Sequence, residues 1–201
     1  MRWTIPNILT TLRLLAAPDV PVMFLYFPRP LADWLALALF VGASITDYFD
    51  GYLARLWKQE SKFGTMLDPI ADKAMVVIAL LVITGYSGMN PWLILPTTVI
   101  LFREIFVAGL REYLGPHKVV LKVNRIAKWK TTAQMVAIAV LFLGTGLGYV
   151  EDTGRRIAHW SASGATQVGL VLIWIAAILT FITGWDYFYK ALPHLRDEGK
   201  Q

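Results

Sequence analysis

The sequence has no cysteine among its 201 residues. That excludes a disulfide framework and a thiolate-held metal. Its three histidines, His117, His159 and His194, fall in loops or tails without ligand spacing, and are expected to be solvated. Charge is scarce as well: Asp, Glu, Lys and Arg make up 16% of the chain, against about 25% in soluble domains. No internal repeat or low-complexity tract is visible. The first residues, with Arg2, Trp3 and Pro6, lack the short apolar stretch and small-residue cleavage site of a signal peptide.

Apolar sequence is abundant. Hydrophobic residues account for 56% of the chain, and the mean hydropathy is +0.52. This excess is too large for one soluble core and predicts an all-α, polytopic membrane protein of one domain, residues 1–201. Residues 1–5 read as a short interfacial segment, with Trp3 at headgroup level. Six apolar runs follow: Ile8–Phe27, Leu31–Trp57, Met66–Ile83, Pro91–Leu110, Ile126–Tyr149 and Gln167–Tyr189. Each is near the ~20 residues that span a bilayer. Pro18-Asp19-Val20-Pro21 interrupts the first, as a kink facing a cavity or a polar defect shielded by neighbours.

Six crossings put both termini on one side. That side then carries 16 of the 19 Lys and Arg residues; the other has only Arg29, Arg155 and Arg156. The positive-inside rule makes the rich side cytoplasmic. Lys118, Lys122 and Arg125 read as charges facing an anionic leaflet, and Lys130 as either a site or a surface residue. Tryptophans and tyrosines near run ends fit aromatic belts, and Asp186 beside Trp185 fits an interfacial position.

The second and third runs meet in an unusual stretch. It reads Asp47-x2-Asp50-Gly51-x2-Ala54-Arg55-x8-Gly64-x3-Asp68-x3-Asp72. At about 100° per residue, Asp47, Asp50, Gly51 and Ala54 share one helical face. Asp68 and Asp72, four apart, share another. Small residues open a slot beside the acids in which a flat ligand can approach the backbone. Two converging carboxylate pairs suit hard divalent cations such as Mg²⁺ or Mn²⁺. Arg55, Lys58, Lys62 and Lys73 would complement a polyphosphate. Two blander readings compete. Asp68 before Pro69 fits a helix N-cap with proline in the first position, and Asp47 and Asp50 fit a helix end facing water.

These eight fixed positions resemble the complete signature of the CDP-alcohol phosphotransferase family, and the six-span layout is similar too. Pro6-Asn7-x2-Thr10-x2-Arg13 and Lys128-Trp129-Lys130-Thr131-Thr132 are similar to its bacterial phosphatidylglycerophosphate synthase branch. The resemblance implies transfer of a phosphatidyl group from CDP-diacylglycerol to sn-glycerol 3-phosphate, with release of CMP. It implies that Asp47, Asp50, Asp68 and Asp72 hold two metal ions and that Asp72 is the general base. Gly51 and Ala54 would admit the cytidine and Arg55 would contact its phosphates. Ser61 would add a hydrogen bond, and Asn7 and Thr10 would close the nucleotide site. It further implies a homodimer in the bacterial inner membrane, among membrane lipids, with the active site facing the cytoplasm and no nucleic-acid partner.

The acceptor site rests partly on the residues themselves. Arg103 lies inside an apolar run, where an arginine is costly and marks a functional position. Its neighbour Glu104 is expected to point elsewhere on the helix. Arg111 follows by two turns and about 80°, and Lys128 opens the fifth run at the same level. Three such cations suit a phosphate dianion, whereas the positive-inside rule alone accounts for Arg111 and Lys128 but poorly for Arg103. A phosphate-bearing acceptor separates glycerol 3-phosphate from free inositol or serine, but not from inositol phosphate. The alternatives are a phosphatidylinositol phosphate synthase or cardiolipin synthase of the same fold and, from another class, a divalent-cation transporter with acids along an ion path.

Overall fold

A computed structural model describes residues 4–56, 61–115, 126–153 and 162–196, with backbone alone at 5–6, 48–56, 62, 126–128 and 196. Among the described residues, six α-helices stand at the six apolar runs: α1 Ile5–Tyr26, α2 Leu31–Leu56, α3 Lys62–Tyr86, α4 Pro91–Leu114, α5 Ile126–Asp152 and α6 Ala162–Arg196. Among the described residues there is no strand. Four stretches are long and apolar enough to cross a membrane: Asn7–Tyr26, Pro91–Leu114, Trp129–Asp152 and Ala162–Leu195. The other two helices, α2 and α3, carry the acids of the motif. With 26 and 25 residues they are about 38 Å long, more than the ~30 Å of a hydrocarbon core.

The expected interruption of the first run is absent, because α1 continues through Pro18 and Pro21. Prolines are tolerated in such helices where neighbours and local adjustments satisfy the freed carbonyls. Asp19 between them is exposed, so neighbouring helices do not shield it. The helix begins at Ile5, with Thr4 as its N-cap residue and proline in its first turn. Residues 1–3 of the expected interfacial segment lie outside the described residues.

The chain forms two compact units, one of Met1–Met89 with Ile138–Gly169 and the other of Asn90–Ala137 with Leu170–Gln201. In the first, α1 packs on α2 and α3. Its buried stripe runs Asn7, Thr10, Arg13, Ala17, Val20, Phe24, a three-and-four spacing that is polar at one end and apolar beyond. The neighbouring helices carry fully buried alanines, including Ala32, Ala36, Ala71 and Ala79. Small side chains let helices approach closely where lipid supplies no hydrophobic drive to associate. Phe142 fills the middle, its ring 6.2 Å from Phe24 and 6.0 Å from Phe40.

The apolar end of that stripe meets an ion pair between the half-buried Arg29 and the fully buried Asp33. Arg29 donates from Nε to Oδ2 of the fully buried Asp33 at 2.7 Å and from Nη2 to the Thr145 carbonyl at 3.0 Å. The rings of Phe24, Tyr86 and Tyr149 surround the guanidinium at 5.9, 5.2 and 5.1 Å, positions suited to cation–π attraction. This accounts for an arginine that the positive-inside rule leaves on the poor side.

In the second unit, α4 and α6 run parallel. Trp92 meets Trp174, Arg103 meets Gly184 and Phe106 meets Phe188, a register offset of 81–82 residues throughout. Trp174 Nε1 also donates to the Trp92 carbonyl at 2.9 Å.

Candidate active site

The polar end of the α1 stripe meets acids from two other helices. Arg13 donates from Nη1 to Oδ1 of Asp47 on α2, and from the same nitrogen to Oδ1 of Asp72 on α3 at 3.0 Å. One turn earlier, Thr10 Oγ1 donates to Asp68 Oδ1 at 2.7 Å. The Arg13 side chain is 3% exposed, while those of Asp47 and Asp72 are 34% and 37% exposed. The arginine thus lies beneath carboxylates that remain open to water.

The start of α3 is tied to the same place. Ser61 is its N-cap: the hydroxyl accepts from Gly64 N at 3.0 Å and donates to Asn7 Oδ1 at 2.8 Å. A Cβ on Gly64 would come within 2.6 Å of Asn7 Oδ1, so any larger residue here would have to push the Asn7 side chain aside. The alternative that Asp68 caps the helix with Pro69 in the first position is overturned, since both lie inside α3. Asp68 is therefore free of a capping role and faces Thr10.

Six of the expected site residues, Asn7, Thr10, Asp47, Ser61, Asp68 and Asp72, are thus brought together by direct hydrogen bonds or through Arg13. Asp50, Gly51, Ala54 and Arg55 continue α2 past Asp47, and their side chains lie outside the described residues. Among the described residues, no three of the carboxylate and imidazole side chains form a group able to hold a metal ion. The two oxygens that meet at Arg13 Nη1 nevertheless show that acids from separate helices converge on one cationic point. An oxygen-only donor set of this kind fits a hard divalent cation.

The second unit holds the expected acceptor residues. Arg103 is packed against Gly184, where a Cβ would fall 2.7 Å from Arg103 Cγ. Glu104 does not point away from it: Arg103 Nη1 donates to Glu104 Oε1 at 3.1 Å, and Lys130 Nζ donates to the same oxygen. Adjacent helical residues diverge by about 100°, but two long side chains can bend back to meet. Lys130 is buried, which decides its position against the surface. Arg111 is exposed, with its guanidinium 5.8 Å from the centre of the Tyr187 ring. Lys128 lies in the first turn of α5, and its side chain is outside the described residues. Asp186 accepts from Lys190 at 2.6 Å, a pair four residues apart.

Sequence reasoning passed over Arg13 as a site residue. Its signal was present: an arginine inside an apolar span, three residues after Thr10 and six after Asn7 on one face.

Comparison with known proteins identifies the family. Residues 3–182 match the model of the CDP-alcohol phosphatidyltransferase family. A protein of Cereibacter sphaeroides named CDP-diacylglycerol–glycerol-3-phosphate 3-phosphatidyltransferase is 67% identical, over 98% of this chain and 100% of its own length. Proteins of the same name from Rickettsia bellii and Shigella flexneri are 42% and 35% identical, over 92% and 98% of this chain and 93% and 100% of theirs. The chain belongs to the CDP-alcohol phosphatidyltransferase family.

Proposed function

We infer that this chain transfers the phosphatidyl group of CDP-diacylglycerol to sn-glycerol 3-phosphate, releasing CMP and forming phosphatidylglycerophosphate. The observation that carries this reading is the meeting of Asp47 and Asp72, from separate helices, at one cationic point within a complete family signature. The names of the relatives supply the acceptor.

The family is generally dependent on divalent metal. Asp47, Asp50, Asp68 and Asp72 would hold two ions, Mg²⁺ or Mn²⁺, which when bound neutralise the pyrophosphate and stabilise the CMP leaving group. Asp72 takes the proton of the attacking hydroxyl. The hydroxyl oxygen bonds to the β-phosphorus as the bond from that phosphorus to the CMP oxygen breaks. Gly51 and Ala54 leave room for the cytidine, and Arg55 binds its phosphates. Asn7, Thr10 and Ser61 close the nucleotide end. Arg103, Arg111 and Lys128 hold the phosphate of the acceptor, for which charge-assisted and bidentate bonds are suited.

The enzyme is a homodimer in the bacterial inner membrane, with both termini and the acids on the cytoplasmic side, where a lipid-bound donor meets a water-soluble acceptor. A CMP-release assay with CDP-diacylglycerol, Mg²⁺ or Mn²⁺ and a panel of alcohols tests the reading. Turnover is expected with glycerol 3-phosphate and not with free inositol, serine or glycerol. Turnover confined to inositol phosphate or phosphatidylglycerol would move the chain to another branch of the family.

A further inference from the structure

Arg13 has no part in the reaction as written, yet it is far more deeply buried than the Asp47 and Asp72 carboxylates it meets. Its side chain is 3% exposed, and one of its nitrogens bonds oxygens of both Asp47 and Asp72. A guanidinium does not lose its proton in a protein, so this is a permanent charge. Buried in an apolar span, it is costly unless compensated. The two carboxylates, in turn, would repel each other at such a meeting point without a cation between them. Each side therefore makes the other tolerable, across three helices. The same contacts set up a competition. A divalent ion held by Asp47 and Asp72 binds carboxylates whose Oδ1 atoms Arg13 already engages, and must bind against a fixed positive charge.

We propose that Arg13 is a built-in counter-ion. It positions Asp47 and Asp72 before metal arrives, and it holds metal affinity down until the pyrophosphate of the donor adds oxygens and negative charge. Metal loading is thereby coupled to donor binding. The proposal rests on the phosphatidyltransferase reading above.

The test is Mn²⁺ binding to the full-length protein in detergent, followed by the electron paramagnetic resonance of free Mn²⁺, with and without CDP-diacylglycerol. Wild type is expected to bind Mn²⁺ at least ~10-fold tighter when the donor is present, about 1.4 kcal/mol of coupling. Arg13→Gln, which removes the charge, is expected to bind Mn²⁺ at least ~10-fold tighter than wild type without donor and to lose most of the donor dependence. Its melting temperature falls in EDTA and recovers in Mn²⁺. Arg13→Lys keeps the charge and the low affinity. An Arg13→Gln protein with unchanged or weaker Mn²⁺ binding overturns the proposal. If Arg13→Gln does not fold, wild type decides: Mn²⁺ affinity indifferent to CDP-diacylglycerol overturns it equally. CMP release by the same wild-type preparation separates the two readings, since a protein that turns over but shows no coupling fails only this one.

Discussion

At the residue scale, the site depends on contacts between side chains far apart in sequence. The spacing of the four acids alone places them on helical faces, and the structure brings Asp47, Asp68 and Asp72 against α1, the Asp50 side chain lying outside the described residues. Their partners were less legible. Thr10 reaches Asp68 and Arg13 reaches Asp72 across 58 and 59 residues, and spacing within one helix carries no information about a contact between two. Gly64 was legible as a fixed position but not as a steric requirement, which emerges only when α1 is seen lying over α3. It yields a sharp prediction. Gly64→Ala places a methyl group 2.6 Å from Asn7 Oδ1, and overpacking of this sort costs about 1–3 kcal/mol. The melting temperature in detergent should fall, and Asn7→Ala in the same chain should recover part of the loss. Additive losses in the double variant would mean that the two residues do not press on each other.

At the scale of elements, apolar patterning gave six runs, and six helices occupy them. The differences lie at the ends, where α3 starts earlier and α4 and α6 run on through polar residues. Ser61 explains one of these: its hydroxyl accepts from Gly64 N, so α3 starts at the cap and not at the first apolar residue. The prolines of α1 misled because proline breaks helices in water more readily than among packed apolar neighbours. On α4, the cost of an intramembrane arginine drew attention to Arg103, but the reach of Glu104 back toward it was not visible from helical angle alone. Arg103→Ala is expected to raise the KM for glycerol 3-phosphate roughly 10- to 100-fold, the loss of charged hydrogen bonds to one phosphate, and to leave CDP-diacylglycerol binding near wild type. Gly184→Val, which crowds Arg103 Cγ from α6, should act in the same direction. Equal losses toward donor and acceptor would remove Arg103 from the acceptor site.

At the scale of the whole molecule, the distribution of charge carries the topology. The positive-inside rule predicts that the side assigned 16 lysines and arginines, against three on the other, faces the cytoplasm. The absence of cysteine makes that orientation simple to test, because a single introduced thiol has no native competitor. In intact spheroplasts, a membrane-impermeant maleimide should label Arg155→Cys and leave Lys58→Cys unlabelled until the membrane is broken. The reverse pattern would put the acids on the wrong side for a cytoplasmic acceptor.

The central claim is that these acids catalyse transfer of a lipid-bound phosphatidyl group to glycerol 3-phosphate. The most direct measurement follows radiolabelled glycerol 3-phosphate into chloroform-extractable lipid in the presence of CDP-diacylglycerol and Mg²⁺, beside CMP release. Wild type should incorporate label and release CMP in equal amounts. EDTA should stop both, and Asp72→Asn should lower both by at least ~10²-fold while still binding CDP-diacylglycerol. CMP release without label in lipid, or an Asp72→Asn protein working at the wild-type rate, would contradict the account.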